Sequence, residues 1–512
     1  MIFYFIFNYF LINWSIGFSG RVVPKCWDMS LTRAIAWNTG SQAIGKVFST
    51  LLGVAIIALM TRHLGQTGFG YYSTAITFFQ IFAIMLDLGI NVMIVQMLGE
   101  HKGDEAYEKR AVSATMTLRI ITALVVLGLA PFIALLFPYA WEVKIAIFAL
   151  TISFFSASLN QVVIGVQQRH LKMYAVAISE VLGRAVLLIG LLMAVWLGWG
   201  LLAISIFVSL GSAINLLINW GVARRYASFA WNWDPDFWTQ LLKRSWPIGV
   251  SIIFNLAYFK ADTFILSLVR SPEEVGVYSA AYRVLEILVT FPFMLAGIML
   301  PLFSNAWAKK DLPRFNQLVR QANNVIILLA APLALGTLVM GVPLMTFVSG
   351  QEFAESGEIL KILAFAVSII YLGTIASHVV VAVNAQMKML PVYIGAAILA
   401  VAGYIIFIPV YGMWAAAWMT LISEAVVAGA AIRITYKAAP QSISWSIILK
   451  TLFASGLMAL AILPVKDAWL PIPILLAVII YTVLIFLLGA VSKATLKEIF
   501  SWRKDSPPIK SL

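Results

Sequence analysis

The chain has 512 residues, 62% of them hydrophobic and 11% charged, which is too little polar surface to cover a water-soluble globule of that size; it reads as an integral membrane protein. A single cysteine, Cys26, excludes an internal disulfide and any Cys-rich metal site, and His63, His101, His170 and His378 lack the spacing of a zinc motif, so no metal and no cofactor is expected. The net charge of +13 is explained first by loop lysines and arginines that orient a membrane protein, and no nucleic-acid partner is expected.

Residues 1–28 are aromatic and apolar but carry neither a basic n-region nor a small-x-small cleavage site, so they read poorly as a signal peptide. Met29-Ser30-Leu31-Thr32-Arg33 resembles a natural start, and 1–28 is expected to be an extension outside the membrane core, with a short extra helix on the membrane as the alternative. From there hydropathy predicts an all-α, polytopic membrane protein of about fourteen transmembrane helices. The expected spans are 39–61, 71–97, 112–137, 144–166, 173–198 and 201–222, then 246–269, 277–304, 323–348, 358–384, 390–410, 412–434, 446–463 and 469–490. They divide into an N-terminal lobe (29–222), a linker (223–245), a C-terminal lobe (246–437), two appended helices (438–490) and a tail (491–512). The loops are all short, which leaves no room for a soluble catalytic domain. Basic residues such as Lys109, Arg110, Arg224, Arg225, Lys309, Lys310 and Arg433 fall in alternate connections, so both termini and the linker are expected in the cytoplasm. The linker, basic and aromatic from Arg224 to Arg244, suits a surface-lying amphipathic helix.

A pattern recurs. Gly70-Tyr71-Tyr72-Ser73-Thr74-Ala75 and Gly276-Val277-Tyr278-Ser279-Ala280-Ala281 share G-x-Y-S-x-A, 206 residues and six predicted spans apart. An even number of spans makes the two copies point the same way, as in a parallel repeat about an axis along the membrane normal. The core is therefore two six-helix lobes, with the last two helices an appendage.

Ionisable residues inside the spans are functional candidates, because a charge at the bilayer centre costs about 2.5–3.5 kcal/mol on insertion scales and must face protein or water. They are Lys46, Asp87, Arg119, Glu180, Arg184, Lys260, Asp262, Arg283, Glu286 and Glu424. Glu180 with Arg184 and Arg283 with Glu286 have the spacing of intrahelical ion pairs, whereas Lys260 and Asp262 point to opposite sides of a helix and need partners elsewhere. The positions 206 residues before Lys260, Asp262, Arg283 and Glu286 are neutral, so an electrically asymmetric cavity is expected. Asp87, in Asp87-Leu88-Gly89-Ile90-Asn91, reads as either a cation or proton site or a satisfied helix-end carboxylate. Pro247, Pro292 and Pro301 are expected to kink spans 7 and 8. Tyr139, Trp141, Trp196, Trp199, Trp231, Trp233, Trp238 and Trp246 read as interface belts rather than a sugar-binding platform. No G-x-x-x-x-G-K-[ST] motif occurs, so a built-in ATPase motor is not expected.

The chain resembles the Wzx-type polysaccharide flippases of the multidrug/oligosaccharidyl-lipid/polysaccharide exporter superfamily. The residues that carry the resemblance are Asn38 to Gly45, Arg62-His63-Leu64-Gly65 through Gly68-Phe69-Gly70-Tyr71-Tyr72-Ser73, Asp87-Leu88-Gly89, and Asp262 through Tyr282. It implies two lobes around a central cavity lined by spans 1, 2, 7 and 8, and alternating access in a cell inner membrane. The implied substrate is an undecaprenyl-pyrophosphate-linked oligosaccharide moved from the cytoplasmic to the outer leaflet, with membrane lipids, a polysaccharide polymerase and glycosyltransferases as further partners. On that footing Lys46, Lys260 and Arg283 would meet the pyrophosphate or acidic sugars, and Asp87, Asp262 and Glu286 would couple transport to a proton or cation. The alternative is an ion-coupled drug or metabolite exporter of the same superfamily. An enzyme such as a polymerase or ligase would be expected to show a large polar outer loop, and none is predicted.

Overall fold

The computed structural model describes residues 28–101, 103–170, 172–439 and 444–490. The expectations for 1–27 and for the 491–512 tail lie outside the described residues. With no water in a bilayer core to satisfy backbone amides, apolar segments of this length fold as helices. The helices are α1 (Asp28–Asp87), α2 (Ile90–Glu100), α3 (Glu105–Ala134), α4 (Trp141–Arg169), α5 (Met173–Leu197), α6 (Leu201–Ala223) and α7 (Pro235–Val269). They continue as α8 (Pro272–Ala308), α9 (Leu312–Ser349), α10 (Ala354–Ala382), α11 (Gln386–Ala438), α12 (Trp445–Ile462) and α13 (Pro471–Leu487).

Local sequence sets their starts. The side chains of Asp104, Asp234, Ser271 and Asp311 accept the amide hydrogens of Tyr107, Phe237, Glu274 and Arg314, and proline occupies the first turn of α7, α8 and α9. Ten stretches of the described residues are long and apolar enough to cross a membrane. Two of them, in α1 and α11, fold back at Gly65 (φ 64°) and Gly412 (φ 56°), backbone positions that favour glycine, and so hold two spans each. With α7 and the shorter α13, fourteen spans result, as expected from hydropathy.

Two expectations need correction. The second span is not continuous over 71–97: it breaks at Leu88 (φ 39°) and Gly89 (φ 71°), and α2 starts anew at Ile90. The linker is not a separate surface helix, because α7 begins at Pro235 and runs unbroken into span 7. Only 224–234 remains as a strap, and it is tied to α3. Ser113 Oγ donates to Ser228 O (2.9 Å), Asn232 N to Thr117 Oγ1 (3.0 Å) and Trp238 Nε1 to Ala114 O (2.8 Å). Pro292 and Pro301 lie inside α8, which stays one continuous helix across both, and the Pro247 side chain lies outside the described ones.

The chain forms two lobes. In the first, α4 packs on α6, α6 on α5 and α5 on α1; in the second, α9 and α8 pack on α10, α10 on α11 and α11 on α7. The last two helices attach to α9, where Tyr481 Oη donates to Leu328 O (2.6 Å) and Met458 lies against Gly336. The lobes meet chiefly where α1 crosses α8.

Candidate functional site

The crossing of α1 and α8 is built from the repeated pattern. Gly70 and Gly276, the first residues of the two copies, lie back to back: a Cβ on Gly70 would overlap Pro272 O, and one on Gly276 would overlap Gln66 O. Only glycine permits that approach. Three residues upstream of each, Thr67 Oγ1 donates to Glu273 Oε1 (2.6 Å), again 206 residues apart. Gln66 adds a bond to Glu352 O, and the Arg62 guanidinium donates to the carbonyls of Phe347 and Val348 at the end of α9. These contacts close the lobes against one another at the end that carries Gly65 and Ser271. Sequence reasoning found the glycines as helix starts and missed Gln66, Thr67 and Glu273; the shared 206-residue offset was the signal.

At the opposite end the lobes also touch. A Cβ on Gly249 of α7 would lie 2.8 Å from Leu88 O, and Arg244 Nη1 pairs with Glu100 Oε2 at 2.7 Å. The broken backbone at Leu88–Gly89 is held by Arg119, almost fully buried, which donates to Leu86 O and to Asn91 Oδ1 (3.2 Å).

Between the two ends lie two charge clusters. In the second lobe Lys260 Nζ meets Glu286 Oε1 (2.6 Å) and Arg283 Nη1 meets Glu286 Oε2 (2.8 Å), so one carboxylate is shared by two cations. Lys260 also lies over the Tyr282 ring, 5.1 Å from its centroid. The partner that Lys260 required is therefore on α8. In the first lobe Glu180 Oε1 accepts from Ser49 Oγ (2.6 Å), Arg184 Nη2 (3.3 Å) and Lys46 Nζ (3.5 Å), and Arg184 Nη1 also holds Ser49 O (2.9 Å). The clusters have the same make-up, two cations about one carboxylate, so the lobes do not differ in net charge at these clusters in the way the position-by-position comparison suggested. They differ in depth. At 1.5 Å per residue, Lys260 lies about 15 Å from the closed end at Arg270, near the middle of a ~30 Å hydrocarbon layer, whereas Lys46 lies about 28 Å from Gly65, toward the other side.

Asp262 is not part of either cluster. Its carboxylate accepts from Tyr278 Oη (2.6 Å), Thr263 N (2.6 Å) and Thr263 Oγ1 (3.2 Å), and it is buried in the second lobe. Tyr278 is the tyrosine of the second repeat copy, a role the pattern alone did not reveal. The Asp87 side chain lies outside the described ones; its backbone ends α1 at the break.

The family model of polysaccharide biosynthesis proteins matches residues 35–307, more than half of the chain and the whole of the region that holds both clusters. The chain belongs to this polysaccharide biosynthesis protein family. A second family model, MatE, matches 247–406. A probable low-salt glycan biosynthesis flippase, Agl15 of Haloferax volcanii, is 23% identical over 63% of this chain; the match spans 66% of that protein's length. A probable flippase of the same organism, AglR, is 22% identical over 66% of this chain and 67% of its own. Among solved structures, the lipid II flippase MurJ in an inward closed conformation superposes with a TM-score of 0.74 over 90% of this chain and 99% of its own at 15% identity. An inward-facing multidrug resistance MATE family transporter of the MOP superfamily superposes with a TM-score of 0.61, covering 76% of this chain and 93% of its own, also at 15% identity. The family member thus has the two-lobed fold of that superfamily.

Proposed function

We propose that the protein is a flippase that carries an undecaprenyl-pyrophosphate-linked oligosaccharide from the cytoplasmic to the outer leaflet of the cell inner membrane, as part of cell-surface polysaccharide synthesis. The observation that carries this reading is the pair of clusters in which two cations share one carboxylate, Lys46 and Arg184 about Glu180 and Lys260 and Arg283 about Glu286. Each leaves one positive charge uncompensated, and the Lys260 cluster does so near the middle of the hydrocarbon layer, where water is scarce. A pyrophosphate supplies the missing negative charge, and charge-assisted hydrogen bonds to it gain strength where the dielectric is low. The name of one Haloferax relative, a probable low-salt glycan biosynthesis flippase, supports a glycan cargo, and that of the other, a probable flippase, supports the mode of transport.

The positive-inside rule sets the direction: the end closed by Thr67 and Glu273 faces outward, and the basic strap faces the cytoplasm. Cargo entering from the cytoplasm meets Lys46 and Arg184 first, then Lys260 and Arg283 about half-way across. In this reading Lys46, Lys260 and Arg283 hold the pyrophosphate. Glu286 gives up part of its hold on Lys260 and Arg283 when the anion arrives, and Asp262 and Asp87 take the coupling proton or cation. With the lobes touching at both ends, the structure corresponds to an occluded step, and opening of the outer contact releases the cargo. Glycosyltransferases supply the substrate and a polysaccharide polymerase consumes it.

The test is transbilayer movement of a fluorescent lipid-linked oligosaccharide in proteoliposomes, comparing wild type with Lys260→Ala and Arg283→Ala. Movement that needs the protein and is lost in both variants supports the reading. Movement that survives both removes these residues from the site. A lack of movement alongside export of small organic cations puts the drug-exporter alternative, to which the MatE match points, in its place.

A further inference from the structure

A cleft of ≈ 380 Å³ opens at the closed end, beside the crossing of α1 and α8, and neither cluster belongs to it. Its size falls in the range of small-ligand sites, roughly 300–1,000 Å³. One wall is Gln66 of the first lobe; the others come from the second lobe, namely the first turn of α8, Glu355 of α10, and Tyr411 and Trp414 on either side of the Gly412 kink. The kink is fixed from within the cleft: Glu274 Oε1 accepts from Met413 N (2.7 Å), its Oε2 from Arg270 Nε (2.7 Å), and Arg270 Nη1 donates to Pro409 O (3.4 Å). That turn presents two large aromatic side chains, with Tyr411 62% and Trp414 38% exposed.

We propose that this cleft is a second binding site, specific for the saccharide moiety of neutral and amino sugars, and that its occupancy holds the lobes together at this end. The inference rests on the reading of the protein as a glycan flippase. The first argument is charge. The lining holds one cation, Arg270, already paired with Glu274, and two further carboxylates, Glu273 and Glu355. Such a surface repels phosphate and uronate groups, the opposite of the two clusters inside the bundle. It offers acceptors for sugar hydroxyls and for an ammonium group.

The second argument is shape. An aromatic ring presents a flat apolar face to the C–H face of a pyranose, while carboxylates and amides at the rim take the hydroxyls. Trp and Tyr at a membrane surface otherwise serve as headgroup anchors, but a headgroup anchor has no need of a carboxylate-walled cleft beside it. The third argument is location. Gln66 belongs to one lobe and Tyr411 and Trp414 to the other, and Glu273, itself in the lining, makes the closing bond to Thr67. A sugar that touches both lobes binds only while they are closed, and it stabilises that state by mass action. Delivered glycan accumulating at the outer surface then slows the next opening.

The experiment uses the purified full chain in detergent, with saturation-transfer NMR to three soluble probes: the N-acetylglucosamine tetramer, the glucosamine tetramer and galacturonic acid trimer. Transfer to the first two and none to the third is expected, falling at least fivefold in Trp414→Ala and in Tyr411→Ala. Circular dichroism and thermal melting confirm that both variants fold. In proteoliposomes, the neutral tetramer outside slows wild-type flipping severalfold and leaves Trp414→Ala flipping unchanged. Absence of transfer to both neutral and amino probes, equal transfer in the aromatic variants, or preference for the acidic trimer overturns the proposal. Flipping of a lipid-linked glycan without soluble-sugar binding removes the cleft and leaves the transport reading standing; cleft binding without flipping does the reverse.

Discussion

Replacing Glu286 with glutamine tests the charge logic of the second-lobe cluster. The carboxylate serves Lys260 at 2.6 Å and Arg283 at 2.8 Å, and the side chains are 17–26% exposed. Fully exposed ion pairs contribute about 0.2–1 kcal/mol, whereas breaking a fully buried pair costs about 3–5 kcal/mol. At this intermediate exposure the loss should be about 2 kcal/mol, a factor of about 30 in the folded-to-unfolded ratio. Glutamine keeps the size and removes the charge, so two cations are left facing each other. Adding Lys260→Met restores the original balance of one net positive charge and should recover more than half of the loss. Thermal melting and denaturant titration in detergent, run as a double-mutant cycle, give the coupling. Stability unchanged in Glu286→Gln, or losses in the two variants that simply add, would refute the idea that one carboxylate neutralises both cations.

Three further outcomes follow from the same structure. Gly70→Ala or Gly276→Ala drives a methyl group into the opposing backbone, at an overpacking cost of about 1–3 kcal/mol, so the end closed by this crossing should open; thiol labelling of a cysteine placed near the crossing should speed up by tenfold or more, and an unchanged rate would contradict the close approach. In a Cys26→Ser background, Thr67→Cys with Glu273→Cys bridged through disulfides by a short bis-methanethiosulfonate reagent should stop flipping, and reduction should restore it. The strap on α3 should depend on pH. The Arg110 guanidinium, hydrogen-bonded to Asp234, holds that carboxyl below the ordinary aspartate range, so the tie is present at neutral pH and is lost as pH falls through the lowered value. Amide exchange over 228–238, corrected for its intrinsic pH dependence, should rise in acid, and by about two- to fivefold at neutral pH in Arg110→Ala. Equal exchange at all pH values would show that the strap is held by its other bonds.

Much of this architecture is written locally in the chain. Span count follows from apolar run length, and the lobe pairing follows from a six-residue pattern whose glycines turn out to meet. The intrahelical pairs Glu180–Arg184 and Arg283–Glu286 were legible because helical spacing fixes them. Contacts between distant segments were not. Nothing near Lys46 points to Glu180, 134 residues on, and nothing near Arg110 points to Asp234. The break at Leu88–Gly89 was legible only in part: Asp87 could be read as a helix-end carboxylate, but the apolar run on both sides suggested one continuous span, and the buried arginine on α3 that holds the Leu86 carbonyl is a distant contact. The linker looked like an amphipathic helix because it is rich in aromatic residues and bounded by Arg224-Arg225 and Lys243-Arg244, yet Asp234 and Pro235 start the helix eleven residues before the membrane span begins at the expected 246.

The central claim, that a cationic interior selects pyrophosphate-linked glycans, is tested most directly by the cargo itself. Two fluorescent lipids with the same polyprenol and the same oligosaccharide, one joined through a pyrophosphate and one through a single phosphate, are to be followed in proteoliposomes beside efflux of a small organic cation. Fast, protein-dependent flipping of the pyrophosphate lipid, slower flipping of the monophosphate and no cation efflux is the predicted result. Cation efflux with neither lipid moving would contradict it.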